Sequence, residues 1–150
     1  MLSTHHKNIA AIIHLSTLSK FVFPFGNFIF PLIIWTINKE KTDFIDKHGK
    51  QAINFQLSIL LYTVIIASLT IPLFLFGVLN SVHFPEFWHF YDFDFHISRR
   101  EGINVAIVTV IAALLTIAAI VFELIFVIIA TGKANQGEPY KYPITVNFLK

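Results

Sequence analysis

Apolar residues in this chain gather into four runs, and the polar positions between and inside them fall into two periodic patterns. Residues 9–23 and 27–37 are short apolar stretches that meet at Pro24-Phe25-Gly26-Asn27. Proline, glycine and asparagine within four residues form a strong turn signal. Fifteen residues of helix reach roughly 22 Å against a hydrocarbon core of about 30 Å. The pattern therefore predicts two short antiparallel helices. A re-entrant hairpin and a single kinked span from Ile9 to Ile37 are the competing arrangements. Pro31 falls near the start of the second stretch, where a helix tolerates proline, and Trp35 near its end, where an indole suits the headgroup zone.

Residues 43–54 change the pattern. Phe44, His48, Ala52 and Phe55 share one side of a helical wheel and Asp43, Lys47, Lys50 and Asn54 the other, which predicts an amphipathic surface helix. Asp43 with Lys47 and Asp46 with Lys50 are acid-first pairs four residues apart, each contributing only about 0.2–0.5 kcal/mol. They serve to hold the helix at a wet surface. From Phe55 the charges stop, and residues 55–79 give a span of adequate length that Pro72 is expected to kink. Residues 103–130 form the longest run, roughly 42 Å as a helix, with Gly132 placed to end it. Between these spans, residues 80–102 carry Phe84, Phe87, Trp88, Phe90, Tyr91, Phe93 and Phe95, a ring density that predicts an interfacial belt. The tail, residues 133–150, has turn and extended signals and is expected to fold back over the bundle. The fold class is all-α: a polytopic membrane helical bundle of four hydrophobic segments plus one amphipathic helix, in a single membrane domain.

Polar residues inside the apolar runs are the candidates for function. Gln51, Asn54, Ser58 and Tyr62 recur at three- and four-residue steps, a stripe that in lipid should face protein. Thr109, Ala112, Thr116, Ala119 and Glu123 step the same way and define a seam of small and polar residues where a neighbouring helix should lie. Glu123 and His14 are ionisable groups at membrane depth. Glu123 lies about 10 Å inside its span, where a carboxylate faces protein or water. It is either a proton- or cation-binding group, facing His14 or the stripe, or a hydrogen-bonded packing contact.

Composition narrows the classes. With 55% hydrophobic and 13% charged residues, the solvent for the long runs is lipid. A net charge of +2, with basic residues in short loops, excludes nucleic acid as a partner. The absence of cysteine excludes disulfides and thiolate chemistry. The first run lacks a small-residue cleavage site and is read as retained. If the first two segments form a hairpin, Lys7, Lys39, Lys41, Lys47, Lys50, Lys133, Lys141 and Lys150 fall on one side, against Lys20, Arg99 and Arg100 on the other. That imbalance predicts both termini in the cytoplasm, in a bacterial inner membrane.

Catalysis is poorly supported. His83, His89, Asp92, Asp94 and His96 offer zinc or manganese ligand types, but their spacing matches no specific site, and an interfacial loop is the simpler reading. Asp46, His48 and Lys50 are one-turn neighbours better explained by pairing or lipid phosphate contact than by acid–base work. Nucleophile-elbow, phosphate-loop and H-E-x-x-H motifs are absent. No cofactor, no metal and no enzymatic activity are expected.

Three blocks carry a resemblance. Pro24, Gly26 and Asn27 running into Pro31 and Trp35, then Asp46, His48, Gly49, Lys50, Asn54 and Gln56, then Gly137, Pro139, Tyr142 and Pro143, resemble a group of small bacterial membrane proteins. That group is itself similar to the Tic-twenty component of the chloroplast inner-envelope protein-import machinery. The resemblance implies a fold and, by analogy, a part in protein transport. The functional expectation is a noncatalytic subunit or accessory factor of a larger membrane complex. It would be bound by lipid and by another integral membrane protein through Thr109, Ala112, Thr116 and Ala119. The alternative is a small homo-oligomeric channel or proton-coupled transporter that uses Glu123.

Overall fold

A computed structural model describes residues 2–81 and 99–150. The aromatic belt and the His83, His89, Asp92, Asp94 and His96 cluster lie outside the described residues.

Helix α1, Thr4–Ser16, begins where Ser3 caps it, its hydroxyl accepting from the His6 amide at 3.3 Å. The first apolar run is not helical throughout. After Ser16 the chain tightens into a 3₁₀ turn, Thr17–Phe21. The hydroxyls of Ser16, Thr17 and Ser19 donate to the carbonyls of Ile13, His14 and Ser16 at 2.6–2.7 Å, competing for the acceptors an α-helix would use. Phe25 then adopts a left-handed φ of 62° and Gly26 is pressed against Ser19, where a Cβ would come within 2.9 Å of backbone atoms. Helix α2, Gly26–Asn38, follows and packs back against α1 and the 3₁₀ turn, forming the short hairpin.

Helix α3, Asp43–Ser81, runs 39 residues without a break, so the amphipathic segment and the span after it are one helix. Helix α4, Arg99–Gln136, runs 38 residues and passes through Gly132, correcting the expected stop there. The terminator is Gly137, whose φ of +81° permits the reversal. Its amide donates to Ala134 O at 3.0 Å and the Glu138 amide to Lys133 O at 2.9 Å, the paired bonds of a Schellman cap. Gly132 lacks that role because nothing reverses the chain beside it.

Two stretches are long and apolar enough to cross a membrane, Asp43–Pro72 with 30 residues and Ala106–Gln136 with 31. Each is roughly 45 Å of helix, against about 30 Å of hydrocarbon. Helices α1 and α2, at 13 residues each, are about 20 Å long. Among the described residues there is no strand.

The chain divides into two compact units, one of Met1–Tyr62 with Ile120–Lys150 and one of Thr63–Ala119. The first holds the core. Ile9 and Ile13 of α1 pack with Ile45 and Ala52 of α3, Ala10 and Ala11 pack with Ala134 of α4, and Phe55, Val127 and Ala130 enclose Tyr142 from the tail. Alanines at the α1–α4 contact permit the close approach that helices in lipid depend on. In the second unit nearly every large apolar side chain described is exposed, including Ile66, Leu69, Phe76, Val110, Leu114 and Leu115.

Candidate functional site

The stripe along α3 is occupied, and its occupant is the protein's own tail. The Tyr142 amide donates to Gln51 Oε1 at 3.4 Å. The Tyr62 hydroxyl donates to Ile144 O at 2.8 Å and the Val146 amide to Ser58 Oγ at 2.9 Å. Asn54 holds Leu149 at both backbone groups, donating to its carbonyl at 3.0 Å and accepting from its amide at 2.8 Å. Read along α3, the tail leaves the level of Gln51 and reverses at Pro143–Ile144 near Tyr62. It then returns past Ser58 to Asn54.

The excursion from Gln51 to Tyr62 is roughly 16 Å along the helix axis, mostly beyond the point where charged residues cease. Non-helical backbone at that depth is tolerated only where its polar groups find protein partners. The four stripe residues supply them. Residues 142–149 are therefore a strap, laced to α3 by side-chain to backbone hydrogen bonds. Ile144 at the reversal has a φ of 55°, costly for a β-branched residue, and is 74% exposed.

Tyr142 is the keystone of the strap. Fully buried, it stacks on Phe55 with ring centroids 4.0 Å apart and planes 9° from parallel. Its hydroxyl lies 2.9 Å from His14 Nδ1, and His14 Nε2 lies 2.8 Å from His48 Nδ1. In each contact one group must donate and the other accept. The tyrosine and the two imidazoles thus form a chain whose proton positions are set together. His14 and His48 are both buried, and the remaining His48 nitrogen, Nε2, has no hydrogen-bond partner among the described residues. Burial holds the Tyr142 phenol well above its ordinary pKa, so it remains a hydroxyl. His14 does not face Glu123, as the sequence allowed; it closes the tail onto α1 and α3.

Glu123 is buried in a second network. One carboxylate oxygen forms an ion pair with Lys20 and the other accepts from Gln56 Nε2 at 3.1 Å. Gln56 Oε1 accepts in turn from Asn27 Nδ2 at 2.7 Å. Asn27 lies in the first turn of α2, Gln56 on α3, Glu123 on α4 and Lys20 in the 3₁₀ turn, so four polar residues tie four elements together. Lys20, placed by loop counting on the far aqueous side, belongs to this interior pair. A lone cation in one apolar segment and a lone acid in another was the available signal, because charges at membrane depth pair with one another.

The remaining motif residues hold the other end of the first unit. Asp46 pairs with Lys50 at 2.6 Å and accepts from Trp35 Nε1 at 3.0 Å. Gly49 lies under the same indole, where an added Cβ would be 2.0 Å from Trp35 Cδ1. Lys7 donates to Gln136 O at 3.3 Å, and Lys133 pairs with Glu138 at 2.6 Å, fastening the end of α4 beside Gly137. Pro139 and Pro143 are both exposed, the first just past the cap of α4 and the second at the strap's reversal. The structure brings Gln51, Asn54 and Ser58 together with the tail. It leaves Thr109, Ala112, Thr116 and Ala119 exposed.

No group of three or more potential metal ligands occurs among the described residues. Among proteins of curated function and among solved structures, nothing matches this chain. The resemblance to the Tic-twenty group, and the protein-transport role it implied, are overturned by the family match, which is to a different bacterial family. From residue 5 to residue 149 the chain matches MamF_MmsF, the magnetosome magnetite crystal formation protein family, and it belongs to that family as a small, non-catalytic, integral membrane protein.

Proposed function

We propose that this protein is a scaffold of the membrane in which its family's magnetite crystals form, acting by docking to other membrane helices. One observation carries the reading: the contrast in the α4 seam. Glu123 is enclosed by its own chain, whereas Thr109, Ala112, Thr116 and Ala119, one to four turns earlier, are exposed. Small residues in a row on a spanning helix let a second backbone approach closely. The occupant is an integral membrane partner, either another copy or a different protein. The Lys20–Glu123 pair supports this reading over the channel, because a neutralised, hydrogen-bonded carboxylate is a poor ion-binding post. Both termini are placed in the cytoplasm by their lysine excess.

Gentle detergent extraction followed by crosslinking tests it. Ala112→Trp combined with Ala119→Trp is expected to abolish association, while Leu114→Trp, on the opposite face of α4, leaves it intact. Equal behaviour of the two variants, or an uncrosslinked monomer throughout, would overturn the docking surface. Deleting the gene in a magnetite-forming host should alter crystal size or shape; unchanged crystals would remove the link to mineral formation.

A further inference from the structure

An open cavity of about 700 Å³ lies between the first turns of α3 and the strap. Lys47, Lys50, Lys141 and Lys150 line it, against Asp43 and Asp46. Asp46 is already matched by Lys50 and Trp35. Among the described residues Lys47, Lys141 and Lys150 form no ion pair with an acidic side chain, and Asp43 is the one unpaired acidic side chain in the lining. Tyr140 and Gln51 add neutral polar side chains to the lining. Burial raises the Tyr140 pKa, so its phenol stays a donor. Three lysines without acidic side-chain partners, contributed to one cavity by two separate stretches of chain, make a seat for a small anion with several acceptor oxygens.

We propose that this cavity binds the phosphate headgroup of an anionic phospholipid. Phosphate is the chemistry that uses the lysines, and position selects its source. The cavity sits at the end of α3 where charged side chains give way to the apolar span, which is headgroup level for a helix crossing the bilayer. Val146 and Phe148 of the strap, immediately before the cavity residue Leu149, are 40% and 47% exposed. They provide apolar surface for acyl chains beside a charged mouth. The same lipid would bridge α3 to the tail, since Lys47 belongs to α3 and Lys141 and Lys150 flank the strap on either side. Recognition is thus coupled to the closed position of the tail. The inference does not depend on the docking role proposed above.

Native mass spectrometry of the full-length protein in neutral detergent tests it, with phosphatidylglycerol, phosphatidylcholine and inorganic phosphate titrated separately. One phosphatidylglycerol per chain is expected to bind at least about tenfold more tightly than phosphatidylcholine. Lys47→Glu with Lys141→Glu should weaken that binding by about tenfold or more. Lys39→Glu with Lys41→Glu, an equal charge change on the α2–α3 connector outside the cavity, should leave it within about twofold. If the two double variants weaken binding equally, the attraction is diffuse and the site is overturned. Equal binding of the two lipids overturns it as well. Inorganic phosphate binding as tightly as phosphatidylglycerol would reassign the cavity to a soluble anion and sink the lipid assignment. Should Lys47→Glu with Lys141→Glu misfold, the neutral pair Lys47→Gln with Lys141→Gln reads the same loss.

Discussion

The two units of this chain solve the membrane problem in opposite ways. In the first, polar side chains reach across to other segments: Asn54 to Leu149, Gln56 to Glu123, Tyr142 to His14. In the second, the hydroxyls whose bonds are resolved turn back onto their own helix. Ser68 donates to Ile65 O, Thr70 to Ile66 O and Thr116 to Ala112 O, at 2.6–2.8 Å. A hydroxyl satisfied by its own backbone can face lipid at little cost, but it fixes nothing. The first unit therefore has a structure specified from within. The second presents an exposed apolar surface that the described residues do not specify from within, and substitutions should separate the two.

The largest effect is expected from Lys20→Met. It leaves the Glu123 carboxylate, only 6% exposed as a side chain, with Gln56 as its remaining hydrogen-bond partner among the described residues. Breaking a buried pair on one side costs about 3–5 kcal/mol, whereas replacing both partners by apolar groups is often nearly neutral. Lys20→Met should thus lower the midpoint of thermal unfolding in detergent sharply, and Lys20→Met with Glu123→Leu should recover most of it. A double variant as unstable as the single one would show that the network does more than neutralise a charge.

Next comes Gly49→Ala, whose Cβ would overlap the Trp35 ring. Overpacking of this kind costs about 1–3 kcal/mol. The contrasting substitution is Gly132→Ala, where nothing lies within 4 Å of the added methyl. Helix propensity there should give a gain of about 0.5–1 kcal/mol. Denaturation midpoints of the two variants should move in opposite directions.

How much of this was legible before the structure follows the same division. Hydrophobic runs and the 3.6-residue period located α2, α3 and α4, because those helices are bounded by charge and turn signals. The first helix was misjudged at both ends. A hydroxyl-rich stretch, Ser16 to Ser19, reads as part of an apolar run by hydropathy, yet its side chains capture backbone acceptors and close the helix early. Gly132 was taken for the stop of α4 because a glycine after an apolar run looks like a cap; what decides is whether the following residue can complete the reversal, as Glu138 does after Gly137. The stripe was visible as a stripe, but periodicity cannot say what lies on it. The tail was expected to fold back over the bundle, but with no apolar helix of its own it gave little sign of which side chains would hold it. Family identity was not legible in the three motif blocks, whose prolines, glycines and polar residues record the strap, the cap and the Gly49–Trp35 contact.

Releasing the strap is the third test. Asn54→Ala removes both bonds to Leu149 and leaves a backbone amide and carbonyl to find water, at about 1–3 kcal/mol. The chain has no cysteine, so a single thiol introduced at Phe148 can report labelling against a silent background. The Phe148 thiol should be modified severalfold faster in the Asn54→Ala background. Tyr62→Phe, which removes one bond at an exposed site, should accelerate it much less. Equal labelling in all backgrounds would mean that Asn54 does not hold the strap.

The smallest effect, and the one that bears most directly on the second unit, is expected from Thr116→Val. The swap is nearly isosteric and deletes a hydroxyl bonded to Ala112 O within α4. Because that bond joins no second element and the side chain is exposed, unfolding stability of the isolated chain should stay within about 0.5 kcal/mol of wild type. Association should respond differently, since a partner helix seated on the seam would meet an added methyl where it met a hydroxyl. A shift in association without one in stability would identify position 116 as surface made for a partner. A stability loss above about 1 kcal/mol would instead mean that Thr116 is held by the chain itself, and the division between an internally specified unit and an externally completed one would fail.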